Sequence, residues 1–396
     1  MSSHDQDLAT GENRIQWARA HMPILRKIRD DFARDRPFEG LTIGVCLHLE
    51  AKTAVWFDAL VAGGARIVAT GSPGTTQDDT AAVLNAHPDI VALGERAESF
   101  EDHMGHCRTV LRAAPDLIAD NGADLHGLVA SEAEFAPLKQ TIIGATEETT
   151  TGGFRLREDL APFEFATWII NDTMAKRIIE NRYGVGSSVV DGIMRATNVM
   201  LHGKTIVVIG YGYCGSGVAQ RMRGMGARVV VVDRDPMRRL EAHMEGFETR
   251  ELGAALPDAR MVITVTGREN VLDAEGWNAL ADGCIVANAG HFATEINMGA
   301  LRAAAVKVVR VREHVEQYSL CDGRQIYLLA SANLINLAAG DGNPIEVMDL
   351  GLALQSLSLA AIAKGGRTLA PGAQPVAYEV EMDVAKAALS VWTAAP

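Results

Sequence analysis

The chain is poor in cysteine, has no basic surplus and holds no long unbroken apolar run. Its five cysteines (Cys46, Cys107, Cys214, Cys284 and Cys321) are odd in number, scattered and never spaced as CxxC. That excludes a disulfide framework and reads as reduced, buried small residues of a cytoplasmic protein. No histidine and cysteine group has metal-ligand spacing, so no metal is expected. Lys and Arg number 37 against 50 Asp and Glu, a net charge of −13. Nucleic acid and an anionic membrane face both call for a basic surface, so neither is an expected partner. The N-terminal MSSHDQDLATGEN is polar and acidic, unlike a signal peptide. The most apolar late stretch, residues 350–363, carries Gln355, Ser356 and Ser358 and is too short to span a bilayer. There is no short-period repeat and no low-complexity tract.

What the chain does have is concentrated in residues 206–235, IVVIGYGYCGSGVAQRMRGMGARVVVVDRD. A β-branched run feeds a glycine cluster, a helix-compatible segment follows, and a second apolar run ends in Asp233. This is strand, phosphate loop, helix, strand, carboxylate. Gly210 permits the tight turn, Gly212 lets backbone approach a pyrophosphate, and Gly215 lets helix pack on strand. The helix N-terminus adds free N–H groups and partial positive charge. Asp233 stands where a carboxylate accepts from both ribose hydroxyls, which favours NAD; Arg234 is the one residue pointing toward NADP.

Elsewhere strand-like and helix-like segments alternate. Residues 41–48, 66–70, 90–93 and 117–119 read as strands, with helices over 53–62, 78–86 and 103–113 between them. A second alternating set starts near Lys204 and continues through strands at 261–266, 284–288 and 307–312. Such alternation gives parallel sheets covered by helices. The expected fold is two-lobed α/β: a Rossmann-type NAD domain over 184–344 and an α/β substrate domain over 1–183. Residues 345–396 return as helices to the substrate domain, and a cleft lies between the lobes. GVGSS (184–188) reads as the joint.

Several polar motifs fall at strand ends, where open α/β sheets bind ligands. His48 closes the first strand, either as a capped core histidine or as a site residue. ADNGAD (119–124) is an ordinary Asx turn or a substrate loop. In GATEETTTGGFRL (144–156), Glu147 and Glu148 precede three threonines and two glycines, a hydroxyl density a plain loop does not need. Lys176 and Glu180 are four apart, a solvated helical pair or a proton-transfer pair tuned by burial. Asn171 and Asp172 read as the N-cap of that helix. His291 follows a strand of the nucleotide lobe.

Together these pieces resemble the S-adenosylhomocysteine hydrolase family. The matching blocks run in order from about Leu41 to Met348: CLH…TAV (46–55), TQDD (76–79), EETTTG (147–152), NDTMAK…ENRYG (171–184), DGIMRAT (191–197), GYGYCGSG, NAGHF and NLAAGDGNP (336–344). The resemblance implies transient oxidation of a nucleoside 3′-hydroxyl by bound NAD, loss of the C4′ proton, elimination of the C5′ substituent, addition of water and return of the electrons. It implies Lys176, His48, Glu180 and His291 as catalytic residues. Glu50, Thr53, Asn121, Glu148, Asn171, Asn343 and Met348 fall in the implied substrate set. Thr149, Thr150, Thr151, Asn181, Gly210, Gly212, Tyr213, Cys214, Gly215 and Asp233 fall in the implied NAD set. Thr266, Gly267, Asn288, Gly290, His291 and Asn336 complete it.

The departures from the family pattern gather on the substrate side. Glu50 stands where the family has threonine, and Lys52 where it has an acid. The DDGGD turn is DNGAD, so a carboxylate linked to proton transfer is Asn121. Glu180 replaces an aspartate, Val185 a cysteine, Asn343 the gate histidine and Tyr213 an aspartate of the nucleotide loop. The sequence ends at Pro396 without the family's C-terminal extension, whose lysine and tyrosine reach a neighbouring subunit's NAD. The favoured expectation is therefore a diverged paralogue that dehydrates a 5′-hydroxyl nucleoside to a 4′,5′-ene of the angustmycin type. The alternatives are hydrolysis of S-adenosylhomocysteine itself, a net dehydrogenase with exchangeable NAD, and a catalytically silent NAD-binding regulator. A homodimer or homotetramer is expected.

Overall fold

The structure, a computed structural model, describes residues 3–160, 162–290 and 293–393. The chain forms two compact units, the first running to Lys176 and resuming at Ile345, the second spanning Arg177–Pro344.

In the first unit, short β-branched and alanine-rich runs are buried along almost their whole length, as strands covered on both faces must be. They are β1 (Thr42–Cys46), β2 (Arg66–Thr70), β3 (Ile90–Leu93), β4 (Leu117–Asp120), β5 (Gly144–Glu147) and β6 (Ala166–Ile169). The sheet order is β3-β2-β1-β4-β5-β6, closed by the edge strand Gly372–Pro375, and every neighbouring pair is parallel. Strand order reverses between β1 and β4. The C-terminal ends of those two strands therefore flank a topological switch point, where such sheets bind ligands.

The apolar stretch near the C-terminus is longer than the sequence suggested. Ile345–Gly365 is one helix of 21 residues, and residues 345–368 are long and apolar enough to cross a membrane. Packing accounts for that composition: 67% of its most apolar window is buried inside the unit, against β5 and the helices Pro23–Asp35 and Ala51–Ala62. Its polar residues are spent there too. Trp56 Nε1 donates to Ser356 Oγ (3.0 Å) and Thr146 Oγ1 to Gln355 Oε1 (2.8 Å). Asp349 accepts from the N–H groups of Ile24 and Leu25, both at 2.8 Å, at the start of the Pro23–Asp35 helix.

The second unit repeats the same strand order. Its strands are β7 (Thr205–Ile209), β8 (Arg228–Val232), β9 (Glu248–Thr249), β10 (Met261–Thr264), β11 (Cys284–Asn288), β12 (Ala305–Arg312), β13 (Val315–Leu320) and β14 (Gln325–Leu329). The parallel part runs β9-β8-β7-β10-β11-β14. One expectation is corrected here. β12 is no strand of the parallel set; it pairs antiparallel with β13, which pairs antiparallel with β14. Residues 313–314 turn the chain straight back, too short a link for the crossover that parallel pairing needs.

Two local readings also change. GVGSS is no break: the π-helix Ala175–Gly184 runs directly into the α-helix Val185–Thr197. Gly186 serves close packing instead. A Cβ there would lie 2.7 Å from the Gly217 backbone of the helix Tyr213–Gly224. The cap of the helical segment after Thr173 is neither Asn171 nor Asp172, which sit in the 3₁₀ turn Ile170–Asp172. Thr173 Oγ1 accepts from the Lys176 N–H at 3.1 Å and takes that role.

Candidate active site

In the first unit, residues from several strand ends gather around a buried ion pair. Lys176 Nζ lies 2.9 Å from Glu148 Oε1, with side-chain exposures of 6% and 5%. The second Glu148 oxygen accepts from Asn121 Nδ2 at 3.0 Å. Burial works against the Glu148 charge, but the Lys176 ammonium outweighs it and holds the carboxyl below its ordinary range. Asn121 Oδ1 is buried without a hydrogen-bond partner, which leaves an acceptor for a ligand hydroxyl. Lys176 thus pairs across the fold with Glu148, a partner that helical spacing did not offer. The segment is π-helical, so residues four apart no longer stack as in an α-helix.

His48 follows β1. Its Nδ1 lies 2.8 Å from Thr75 Oγ1, and that hydroxyl donates to the Ser72 carbonyl at 2.9 Å. Since the hydroxyl has one proton, Nδ1 must be the donor. In the neutral ring the lone pair is then on Nε2. Thr53 Oγ1 donates to the His48 carbonyl (2.7 Å) and fixes the loop. Glu50 and Lys52 form a second buried ion pair at 2.8 Å, with exposures of 7% and 5%. Met348 is buried in the Ile345–Gly365 helix.

The two adjacent glutamates have different tasks. Glu147 accepts from the N–H groups of Gly122, Ala123 and Thr149 and from the Thr149 hydroxyl, at 2.7–3.0 Å. It ties the DNGAD turn to the EETTTG loop. Burial, with Asp120 nearby, pushes its carboxyl up to about 8. The threonines are less available than their number implied. Thr149 Oγ1 also accepts from Gly152 N (2.9 Å) as helix cap, and Thr150 Oγ1 donates to Asn171 Oδ1 (3.0 Å). Thr151 is half-buried. All three belong to the first unit.

In the second unit the glycine loop has the form a dinucleotide needs. Gly210 directly follows β7, with φ +104°. A Cβ on Gly215 would sit 2.0 Å from the Gly210 carbonyl, whereas a Cβ on Gly212 would meet nothing within 4 Å. The loop is thus tight beneath and open above, at the N-terminus of the helix Tyr213–Gly224. Tyr213 and Cys214 are half-buried in its first turn. Asp233 follows β8 and accepts from Tyr211 N (2.7 Å) and Asp235 N (2.9 Å), which fixes the carboxylate beside the loop. Asn336 donates to Ser188 Oγ at 3.2 Å, and its Oδ1 is buried without a partner. The residues present fit NAD: an open glycine cradle, a carboxylate for the ribose and an orphan carbonyl for an amide.

A polar chain continues from Asn336. Ser188 Oγ donates to Asn343 Oδ1 (2.9 Å), and Asn343 Nδ2 to Glu180 Oε1 (3.3 Å). Asn181 is buried nearby in sequence. Ser188, in the GVGSS stretch read as a joint, had no signal beyond its motif neighbours.

Three residues of the implied cofactor set are engaged within the second unit. Asn288 is a brace: its amide donates to the carbonyls of Gly290 and Ala332, and its Oδ1 accepts from Thr264 Oγ1 and Gly290 N, at 2.8–3.0 Å. That uses its full capacity. The N–H groups of Thr266 and Gly267 are held by Glu295, at distances from 2.6 to 3.2 Å. Glu295 lies against Gly290, where a Cβ would stand 1.5 Å from its oxygen. The sequence reading passed over Glu295, which lies three residues beyond the NAGHF block. His291 lies outside the described residues.

Among the described residues the fold also brings Cys46, His103 and Cys107 together, with one donor atom of each within 4.8 Å of the others. The expectation that no such group forms is corrected. His103 and Cys107 are one helical turn apart, and only the fold adds Cys46. The cysteines are not uniformly buried either: Cys214 is half-buried and Cys321 exposed.

Comparison with known proteins gives the same direction. The family model described as S-adenosyl-L-homocysteine hydrolase, NAD binding domain, matches residues 181–342, and that described as S-adenosyl-L-homocysteine hydrolase matches residues 4–136. The S-inosyl-L-homocysteine hydrolase of Methanopyrus kandleri is 44% identical over 95% of this chain and 89% of its own length. The adenosylhomocysteinase of Aquifex aeolicus is 42% identical over 96% and 91%. The S-inosyl-L-homocysteine hydrolase of Methanocaldococcus jannaschii is 43% identical over 95% and 90%.

Proposed function

This chain belongs to the S-adenosyl-L-homocysteine hydrolase family and is an NAD-dependent enzyme of it, and from that premise we propose that it breaks the C5′ bond of a purine nucleoside held by the first unit. The observation that carries this reading is the Lys176–Glu148 pair, sealed from solvent at the C-terminal ends of a doubly wound sheet.

Gly210, Gly212, Gly215, Asp233 and Asn336 would hold NAD, which would supply a reversible two-electron sink for the sugar 3′-carbon and so acidify the C4′ proton. Lys176 Nζ moves the proton of the 3′-hydroxyl. Glu148 anchors that ammonium and, with Asn121 and Asn171, orients the ribose hydroxyls. His48 Nε2 carries a proton to or from the C5′ substituent, with Thr75 setting the tautomer. Such a positioned base is worth roughly 10²–10⁴ in rate. Glu50 and Lys52 offer an acceptor beside a donor to the base edge. A purine with a donor and an acceptor on adjacent atoms satisfies that pair, as both adenine and hypoxanthine do.

The leaving group in this reading is a homocysteine thiolate, and the substrate is an S-nucleosyl-L-homocysteine. Its support is the relatives, which include both an adenosylhomocysteinase and S-inosyl-L-homocysteine hydrolases at 42–44% identity. A second reading, dehydration of a 5′-hydroxyl nucleoside to a 4′,5′-ene, is favoured by Asn121. A neutral amide that donates to Glu148 moves no proton, so in this reading the proton on the departing hydroxyl comes from His48. Assembly as a homodimer or homotetramer is part of the proposal.

The test is single-turnover mixing with S-inosylhomocysteine, S-adenosylhomocysteine and 5′-hydroxyl nucleosides, following absorbance of the bound cofactor and products by mass spectrometry. Released homocysteine supports the first reading, and an unsaturated nucleoside the second. No cofactor reduction with any of them overturns both.

A further inference from the structure

The geometry points to a buried zinc site in the first unit, apart from the proposed active site, formed by Cys46, His103 and Cys107 with a water or the Asp124 carboxylate in the fourth position.

The distances match those of a coordination shell. His103 Nε2 lies 3.6 Å from Cys107 Sγ and 3.3 Å from Asp124 Oδ2. Around tetrahedral zinc, bond lengths of about 2.3 Å to sulfur and about 2.0–2.1 Å to nitrogen and oxygen give ligand edges of roughly 3.5 Å for N to S and roughly 3.3 Å for N to O. One imidazole N–H serves a single acceptor well, yet Nε2 faces a sulfur, a carboxylate oxygen and, through the same cluster, Cys46.

A second, independent observation lies on the opposite side of the ring. His103, 2% exposed, has its Nδ1 without a hydrogen-bond partner, and Glu98 Oε1 is likewise buried and unpartnered. These two orphans face each other at 3.7 Å. When Nε2 binds a metal, the remaining proton sits on Nδ1, and a carboxylate behind that nitrogen is the usual outer-shell partner. Two thiolates and an imidazole select zinc among common divalent ions.

The placement gives the site a purpose. Cys46 ends β1, two residues before His48, and Asp124 starts the helix Asp124–Ser131, three after Asn121. His103 and Cys107 lie on the helix Phe100–Arg112. A metal there would pin that helix under both loops of the switch point.

The whole chain, purified without chelator and kept reduced, is assayed for zinc by mass spectrometry, then depleted and titrated with Co²⁺. The expected result is about one equivalent per chain, with thiolate-to-cobalt charge-transfer bands and strong visible bands of a tetrahedral ion. Those bands should persist in Cys321→Ser and vanish in Cys107→Ser and His103→Gln. Folded wild-type protein that takes up neither ion at equimolar concentration overturns the proposal, whatever the variants do. Bands lost in Cys321→Ser and kept in Cys107→Ser overturn it as well.

Discussion

Lys176 Nζ and Glu148 Oε1 meet at 2.9 Å although they lie on separate segments of the first unit, Lys176 just beyond a 3₁₀ turn and Glu148 just beyond β5. Neither side chain can be removed without leaving the other charge buried. Lys176→Ala should therefore abolish cofactor bleaching and exchange of the C4′ hydrogen with deuterated solvent. It should also destabilise the unit by about 3–5 kcal/mol. Lys176→Ala with Glu148→Gln should recover most of that stability and none of the activity. Calorimetry and exchange by mass spectrometry separate the two. Full exchange activity in the folded single variant would remove Lys176 from the reaction.

Asn121→Asp places a carboxyl 3.0 Å from Glu148. Two such groups cannot both ionise at ordinary cost, so one is held protonated and its pKa rises. The pH–rate profile should then gain a titration above the ordinary carboxylate range. An unchanged profile would show that residue 121 faces no reacting proton.

Gly215→Val tests the cofactor loop. Its Cβ would lie 2.0 Å from the Gly210 carbonyl, a backbone atom that cannot step aside. NAD retention after gel filtration should fall at least 10-fold. Asp233→Asn should weaken NAD by about 1.5–3 kcal/mol through loss of charged hydrogen bonds to the ribose. It should penalise NADP less, which isothermal titration can measure.

Asp349 gives a pH dependence of stability. Burial raises its carboxyl to about 6, above an unfolded value of about 3.9. The folded state therefore holds its proton more tightly. The stabilising contribution is complete below about pH 4 and is lost as pH rises through about 6, on the order of 3 kcal/mol. Denaturant melts between pH 4 and 7 should show stability falling over that interval from this group. Asp349→Asn should flatten the slope while weakening the cap on Ile24.

Most of the α/β alternation was legible because each strand is a short apolar run bounded by turn residues. β2, β3 and β11 fall where composition placed them. β12 misled because VKVVRVR alternates apolar and basic residues like any strand, and partner direction is not written in period two. The 175–184 segment is helical as its composition suggested, but a π-helix has the composition of an α-helix, so its wider turn was not readable. In the site, the glycine loop and Asp233 were readable from spacing alone. Glu147 and Glu148 were not separable in sequence, since their divergent tasks come from neighbours brought by β4 and by Lys176. Glu295 was passed over because its partners are backbone N–H groups, which carry no residue signature.

Glu295 also restricts where phosphate can go. Its carboxylate already fills the amide nest at Thr266 and Gly267, so that turn arrives with a built-in counter-anion. Free sulfate or pyrophosphate would be repelled there and left to the glycine turn at residues 210–215. The loop after β10 is, in effect, pre-loaded: its shape is set before any nucleotide arrives, and binding need not spend energy ordering it.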